Sequence, residues 1–290
     1  MIKKGIILAG GQGSRMSPLT KAVNKQLLPL FDKPLIYYPL SILMLAGIKD
    51  ILIIVNKGQK KQFLKILPEN NNFGVQIKYK EQDKPRGLPE AFILGEKFIN
   101  KDKVALILGD NFFYGQSLSE NLKKNFGLKT GAKIYLHPVK NPNLYGVAIL
   151  NKNNKVLKLI EKPKNFSSNL AVTGLYLFDN KVVEYSKRLK PSKRKEFEII
   201  DLLNIYRKKN KLKSDFIGRG AAWLDAGNIK DFYDASNFIS TIESRQGLKI
   251  ACIEEIALKK GWITKKDVIK SIKFYGICDY SRYLQKLLKK

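Results

Sequence analysis

The sequence predicts an α/β fold built on a mainly parallel sheet, and three observations carry that reading. Short apolar runs alternate with amphipathic stretches through the first half of the chain. The first run, Gly5 to Ala9, feeds Gly10-Gly11-Gln12-Gly13, as a buried strand ending in a tight turn does. A later run, Val104 to Leu108, is closed by Asp110, so polar groups collect where strands end. Such alternation builds right-handed βαβ units. Ligands of these sheets sit beyond the carboxyl ends of the strands, where Leu8, Asp110 and the glycine loop all fall.

Taken in order, residues 3–8 form the first strand and 35–46 a helix, with Gly47 placed to cap its end and Pro39 to bend it. Strands at 50–55, 75–79 and 103–108 alternate with helices at 58–67, 88–99 and 116–125. The middle is richer in strands, at 132–138, 145–150, 155–160 and 171–178, with Asn151-Lys152-Asn153-Asn154 as a polar turn. Helical patterns return at 179–188, 197–209 and 229–243, and 253–290 reads as short amphipathic helices. No repeat, low-complexity segment or clear linker interrupts the chain.

Composition narrows the function classes. A chain of 290 residues makes one large domain or two, and 44% hydrophobic residues fill an ordinary core. No apolar stretch reaches the roughly 18 residues of a membrane helix. After Met1-Ile2-Lys3-Lys4 the apolar run leads into glycines instead of a cleavage site, so the expectation is a cytoplasmic protein without membrane contact. Cys252 and Cys278 suggest no disulfide framework. The lone His137 argues against a Cys/His zinc site and reads as structural, before Pro138 at a strand end. No G-x-S-x-G elbow accompanies it. The net charge of +29 attracts polyanions, and alone it would suggest a basic nucleic-acid-binding protein. Yet the lysines are scattered, in pairs such as Lys60-Lys61, Lys123-Lys124 and Lys289-Lys290 on helix faces, as on a solvated surface. No recognition helix, RNP-like aromatics or zinc spacing points to a specific nucleic acid.

The glycine loop carries most of the chemistry. Glycine lets backbone N–H groups approach phosphate oxygens, and Arg15 and Lys25 add two cations beside Gly10, Gly11, Gly13 and Ser14. It is not G-x-x-x-x-G-K-[ST], so a P-loop is disfavoured; read as G-x-G-x-x-G it fails at the last position and lacks the acidic ribose partner. A plain strand-to-helix turn would account for the glycines but requires neither Arg15 nor Lys25-Gln26-Leu27-Leu28-Pro29.

Leu-Ala-Gly-Gly-x-Gly-Ser-Arg followed by Lys-Gln-Leu-Leu-Pro resembles the signature of the sugar-phosphate nucleotidylyltransferases. Further matches are Lys33 to Leu40, Leu108-Gly109-Asp110-Asn111, Tyr145-Gly146-Val147, Glu161-Lys162-Pro163, Val172 to Tyr176, Gly218-Arg219-Gly220 and Trp223 to Gly227, in order from residue 3 to about residue 260. The resemblance implies a doubly wound, Rossmann-like sheet with a sugar-binding β-rich insertion and a C-terminal helical appendage. Residues 1–245 would form the nucleotidyltransferase domain, its nucleotide and sugar parts interleaved, and 246–290 a helical extension. The implied activity joins dTTP and α-D-glucose 1-phosphate into dTDP-glucose, releases pyrophosphate and uses Mg²⁺. Uridylyl transfer, or another sugar 1-phosphate, stays open.

Such a reaction joins two anions, so positioning and cations matter more than a nucleophilic side chain. By resemblance Gly10, Gly11, Gly13 and Ser14 wrap the triphosphate, and Arg15 and Lys25 meet its phosphates. Lys162 holds the sugar phosphate. Asp110 and Asp225 are the metal candidates, since Mg²⁺ takes a few carboxylates, waters and substrate phosphates; Asp110 as a helix N-cap is the plainer alternative. Leu8, Gln82, Pro85 and Gly87 match the base site, and a glutamine amide reads thymine and uracil alike. Gly146, Glu161, Val172 and Tyr176 match sugar contacts. Trp223 is either a wall of that pocket or a core aromatic. Two departures stand out: Gly87-Leu88-Pro89-Glu90 where Gly-Leu-Ala-Gln is usual, and Leu224-Asp225-Ala226-Gly227 where Leu-Asp-Thr-Gly is usual. The family also implies a homotetramer, and a nucleotide-sugar regulatory site roughly matched by Tyr114, Gly115, Arg219, Lys249, Glu255 and Ile256.

Overall fold

A computed structural model of the chain describes residues 1–115 and 118–289. The first half contains β1 (Lys4–Leu8), a short hairpin of β2 (Pro29–Leu30) and β3 (Lys33–Pro34), α1 (Tyr37–Leu45), β4 (Asp50–Asn56), α2 (Lys60–Leu64), β5 (Gln76–Gln82), α3 (Glu90–Leu94), α4 (Glu96–Ile99), β6 (Val104–Leu108), β7 (Asn111–Gly115) and α5 (Leu118–Asn125). The middle adds β8 (Ala132–Pro138), β9 (Gly146–Leu150), β10 (Val156–Glu161), β11 (Leu170–Phe178), α6 (Val182–Lys187), α7 (Ile199–Lys208), β12 (Leu212–Phe216) and β13 (Ala221–Asp225). Four helices close the chain: α8 (Ile229–Gln246), α9 (Ile253–Lys259), α10 (Lys265–Tyr275) and α11 (Asp279–Leu288).

The apolar runs become one mixed sheet of nine strands, ordered β10-β9-β11-β6-β1-β4-β5, with β8 on β11 and β12 on β8. It is parallel across β6-β1-β4-β5 and turns antiparallel at β11. Alternation within each strand sorts side chains to the two faces. Ile7, Ile51 and Ile53 join α1 and the C-terminal helices, whereas Ile6, Leu52 and Ile54 face Phe92, Leu202 and Tyr206 of α3 and α7. A third cluster, of Met16, Leu30, Leu35, Tyr38, Phe112 and Phe232, packs under the glycine loop.

Several boundaries moved for physical reasons. The first helix starts at Tyr37, so Pro39 lies in its first turn, where a missing N–H loses no helix bond and no bend is required. Gly47 follows the helix at φ 89°, the left-handed conformation expected of a terminator. The 88–99 segment divides at Gly95, where a Cβ would meet the Ala91 carbonyl oxygen at 2.9 Å. The strands β7, β12 and β13 were not expected; β7 and β13 pair with each other outside the main sheet. Residues 116 and 117 of the expected 116–125 helix, the side chains of Lys123 and Lys124, and Lys290 lie outside the described residues. Among the described residues no helix is long and apolar enough to cross a membrane.

Candidate functional site

The site forms where β1, β4, β5 and β6 end. The loop leaving β1 lies directly against the Gln82 side chain at the end of β5: a Cβ on Gly10 would come within 1.8 Å of Gln82 Nε2, so any larger residue would push that amide from its place. Gly11 adopts φ 129°; its N–H donates to Asn56 Oδ1 (3.0 Å) and its carbonyl accepts from Asn56 Nδ2 (2.8 Å). Gly13, at φ 60°, starts a short 3₁₀ turn over Ser14–Met16. Buried Met16 anchors that turn and leaves Arg15 exposed above it. Asn24 accepts from Gln26 N–H (2.9 Å) and donates to the Ala9 carbonyl (3.0 Å), fixing the turn that carries Lys25. The Lys25 ammonium is ion-paired with Asp110.

Opposite the loop stand two carboxylates. Asp110 leads from β6 into strand β7, so it is not the N-cap of a helix. Asn111 Nδ2 donates to its Oδ1 (3.0 Å), and Ala226 N–H donates to its carbonyl (2.9 Å), bringing the end of β13 alongside. Asp225 is thereby held across from Asn111 in the β7–β13 ladder. A Cβ on Gly227 would meet Arg15 Nη2 and Asp225 Oδ1, each at 3.0 Å, so guanidinium and carboxylate converge over that glycine. Burial, and then the charge of Asp110, pushes Asp225 up to about 7. Asp110 is buried as well, but the charge and hydrogen bond of Lys25 hold it below its ordinary value. Two neighbouring carboxylates whose negative charges oppose each other suit a hard cation. No group of three or more acidic, cysteine or histidine side chains able to hold a metal occurs among the described residues. Two protein carboxylates are nonetheless enough for Mg²⁺, which keeps waters and draws further oxygens from bound phosphates.

All the expected nucleotide, sugar and metal positions line two adjoining compartments. The larger, of about 430 Å³, is lined by Leu8, Gly10, Gly11, Arg15, Gln82, Pro85, Gly87, Asp110, Gly146, Glu161, Lys162, Val172, Tyr176, Trp223 and Asp225. The smaller, of about 280 Å³, adds Gly13, Ser14 and Lys25 and shares Gly10, Gly11, Arg15 and Asp110 with the first. Trp223 fills both of its expected roles: it is buried in the core, its Nε1 donates to Asn111 Oδ1 (2.6 Å), and it borders the cavity. Lys162 sits at φ 43°, a left-handed backbone unusual for lysine, with its N–H on the Tyr145 carbonyl. Burial, and then Glu198, raises Glu161, against the opposing pull of Arg194 and Lys162.

Sequence reading missed four lining or supporting residues. Arg194 pairs with Glu198 (2.7 Å) and Glu161 (3.3 Å) inside the larger compartment. Its surroundings, Ser192-Lys193-Arg194-Lys195, look like any solvated loop. Glu198, Asn56 and Asn111 likewise carry no pattern of their own, although Asn111 stood in a matched motif. The two departures are accommodated. Pro89 precedes α3 in helical conformation. Ala226 is fully buried, and its backbone N–H still holds Asp110.

The regulatory candidates lie apart from this cavity. Tyr114 donates to Gln246 Oε1 (3.3 Å), and Gly115 pairs with Ala221, two residues beyond the exposed Arg219. Lys249 is paired with Asp32 and Glu243, and Glu255 on α9 accepts from Tyr283 (2.6 Å). Ile256, also on α9, packs against the main core.

The comparisons with known proteins agree with this geometry. Residues 4–242 match the family model described as nucleotidyl transferase. A glucose-1-phosphate thymidylyltransferase of Neisseria meningitidis is 47% identical over 287 residues, covering 99% of this chain and all of the relative. Among solved structures, a Bacillus anthracis protein provisionally named glucose-1-phosphate thymidylyltransferase, solved with sucrose, superposes with a TM-score of 0.75 at 40% identity, over 81% of this chain and 94% of its own. A UDP-glucose pyrophosphorylase bound to UDP-glucose superposes with a TM-score of 0.71 at 25% identity, over 83% and 100%. The chain belongs to the nucleotidyl transferase family, in the branch of the glucose-1-phosphate thymidylyltransferases.

Proposed function

We propose that this enzyme makes dTDP-glucose and pyrophosphate from dTTP and α-D-glucose 1-phosphate, with Mg²⁺ as the metal. One observation carries the proposal: the glycine loop with Arg15 and Lys25 faces Asp110 and Asp225 across the same cleft that Gln82 and Glu161 border. An oxygen of the sugar phosphate attacks the α-phosphorus of dTTP in line; the bond to the β-phosphate bridging oxygen breaks, and pyrophosphate leaves with the electron pair. The loop of Gly10, Gly11, Gly13 and Ser14 wraps the triphosphate, with the Gly11 N–H held by Asn56 and the other loop N–H groups left to the phosphates, while Arg15 neutralises the departing pyrophosphate through its planar fork. Lys25 follows the charge: it rests on Asp110 in the free protein and turns to the phosphates when they arrive. Lys162 orients the attacking phosphate, beside Arg194. Gly146, Glu161, Val172 and Tyr176 bind the sugar, Glu161 as an acceptor for its hydroxyls, with Trp223 behind them. Leu8, Gln82, Pro85 and Gly87 hold the base. Asp110 and Asp225 would hold the Mg²⁺, which supplies charge neutralisation and alignment of the phosphates.

The same reading takes residues 1–245 as the catalytic unit and 246–290 as a helical extension of a cytoplasmic homotetramer, with Tyr114, Gly115, Arg219, Lys249, Glu255 and Ile256 near a regulatory site. A panel of nucleoside triphosphates and sugar 1-phosphates, with products identified by mass, tests the assignment. dTTP with glucose 1-phosphate is expected to give dTDP-glucose fastest. A preference for UTP, or for another sugar phosphate, would reassign the substrate.

A further inference from the structure

Gln82 stands at the end of β5, and Asn56 stands beside it as its register partner at the end of β4. The two amides touch: Gln82 Nε2 donates to Asn56 Oδ1 at 3.0 Å. An isolated glutamine amide can rotate by half a turn and exchange its donor for its acceptor. Here it is not free to do so. The backbone of Gly11 fixes Asn56 first, because its N–H can only donate and its carbonyl can only accept. Asn56 must therefore turn Oδ1 to the Gly11 N–H (3.0 Å) and Nδ2 to the Gly11 carbonyl (2.8 Å). With Oδ1 fixed in place, only the Nε2 side of Gln82 can meet it. Gln82 is 4% exposed, so an oxygen-to-oxygen contact with Asn56 would be a largely buried repulsion.

The lock has a consequence for the base. With the Nε2 hydrogen trans to Oε1 on Asn56, the hydrogen cis to Oε1 is left for a ligand, and that edge presents one donor and one acceptor in a set order. Thymine and uracil offer N3–H beside a carbonyl oxygen, which the locked order pairs twice. Cytosine offers an unprotonated N3 beside an amino group, the reverse order, which only the rotated amide would pair. We propose that Asn56 is the specificity-determining residue that fixes the reading direction of Gln82, so that the site accepts a thymine or uracil edge and rejects a cytosine edge. Asn56 is a positioning residue: it acts through Gln82 and through the phosphate loop at Gly11. The inference rests on the base-binding role proposed above for Gln82.

The test compares kcat/KM for dTTP and dCTP in the wild type, Asn56→Ala and Asn56→Asp. Asn56→Ala frees the Gln82 amide, and the dTTP-over-dCTP ratio is expected to fall at least about tenfold, since a site that mispairs a buried polar group is what rejects the wrong substrate. Asn56→Asp still presents an acceptor to Gln82, but it turns a carboxylate oxygen to the Gly11 carbonyl in place of the donor and adds a negative charge beside the phosphate loop. KM for dTTP is expected to rise in that variant while the ratio stays within about twofold of wild type. A ratio unchanged in folded Asn56→Ala, with only KM raised, would make Asn56 a loop support and overturn the proposal. So would a ratio lost in Asn56→Asp. A wild type that uses dCTP as well as dTTP would instead refute the role of Gln82 itself, and this inference with it.

Discussion

Asn111 shows how one buried side chain sets the site. Its Oδ1 accepts from Gly174 N–H (3.0 Å) and from Trp223 Nε1 (2.6 Å), and its Nδ2 donates to Asp110. It thus joins β11, the cavity wall and a metal candidate. A Cβ on Gly174 would come within 2.4 Å of that oxygen, so glycine is required there. Asn111→Ala strands two buried donors and is expected to destabilise by about 2–5 kcal/mol, from the cost of an unsatisfied buried group. A urea melt reads this as a lower midpoint at unchanged slope; a midpoint equal to wild type would contradict it. At this scale the sequence was legible where residue types cluster unusually. Glycines followed by Arg15 and Lys25 have no purpose in a bare turn. Asn56, Asn111 and Arg194 were not legible as functional, because an asparagine after a strand or an arginine among lysines has many ordinary uses, and only three-dimensional partners distinguish them.

Among the elements, the C-terminal helices are tied to α1 by a polar seam as well as by packing. Tyr37 and Tyr275 hydroxyls meet at 3.1 Å, and Glu254, fully buried, accepts from Tyr275 (2.8 Å) and Tyr280 (2.6 Å). Burial raises Glu254 above its ordinary value, although both tyrosine hydrogen bonds pull the other way. A carboxyl raised on folding contributes stability that is fully present below the unfolded value, near about 4.3, and lost as pH climbs through the folded value. The Tm of wild type minus that of Glu254→Gln should therefore fall as pH rises from about 4; a flat difference would show that Glu254 does not titrate in this window. At the base loop, Arg86 is clamped to Glu90 (2.7 Å), whose other oxygen accepts Arg86 N–H (3.0 Å), while Phe197 N–H donates to the Arg86 carbonyl (2.7 Å). Glu90→Ala is expected to raise KM for dTTP about tenfold, the equivalent of one charged hydrogen bond. KM for glucose 1-phosphate rising equally would deny the clamp a specific effect on the base loop. The inner parallel strands β1, β4 and β6 were legible because both of their faces are buried and their sequences are continuous apolar runs, whereas β5 at the sheet edge mixes polar and apolar residues. β12, Leu212-Lys213-Ser214-Asp215-Phe216, has no such run and takes its form from pairing with β8, which no local pattern announces.

Across the whole molecule, the sheet brings residues some two hundred positions apart, Arg15 and Asp225, to one glycine, and the net charge of +29 surrounds a cleft that takes two anions. Long-range attraction of that kind is screened beyond about 10 Å at 0.1 M salt. We expect kcat/KM for dTTP to fall about three- to tenfold between low and high salt while kcat holds. An equal fall in kcat would point to the chemical step instead of capture. The convergence of loop, cations and carboxylates was foreseeable from ordered motifs, whereas the small β7–β13 ladder that holds the second carboxylate in place was not. Replacing Asp225 by its isosteric amide tests that convergence most directly. With dTTP, glucose 1-phosphate and Mg²⁺, pyrophosphate release by Asp225→Asn is predicted to drop at least about a hundredfold, the usual cost of removing a group that stabilises transition-state charge. Its Tm should be no lower than wild type, since a buried charge has been removed. Turnover within a few-fold of wild type would contradict the account.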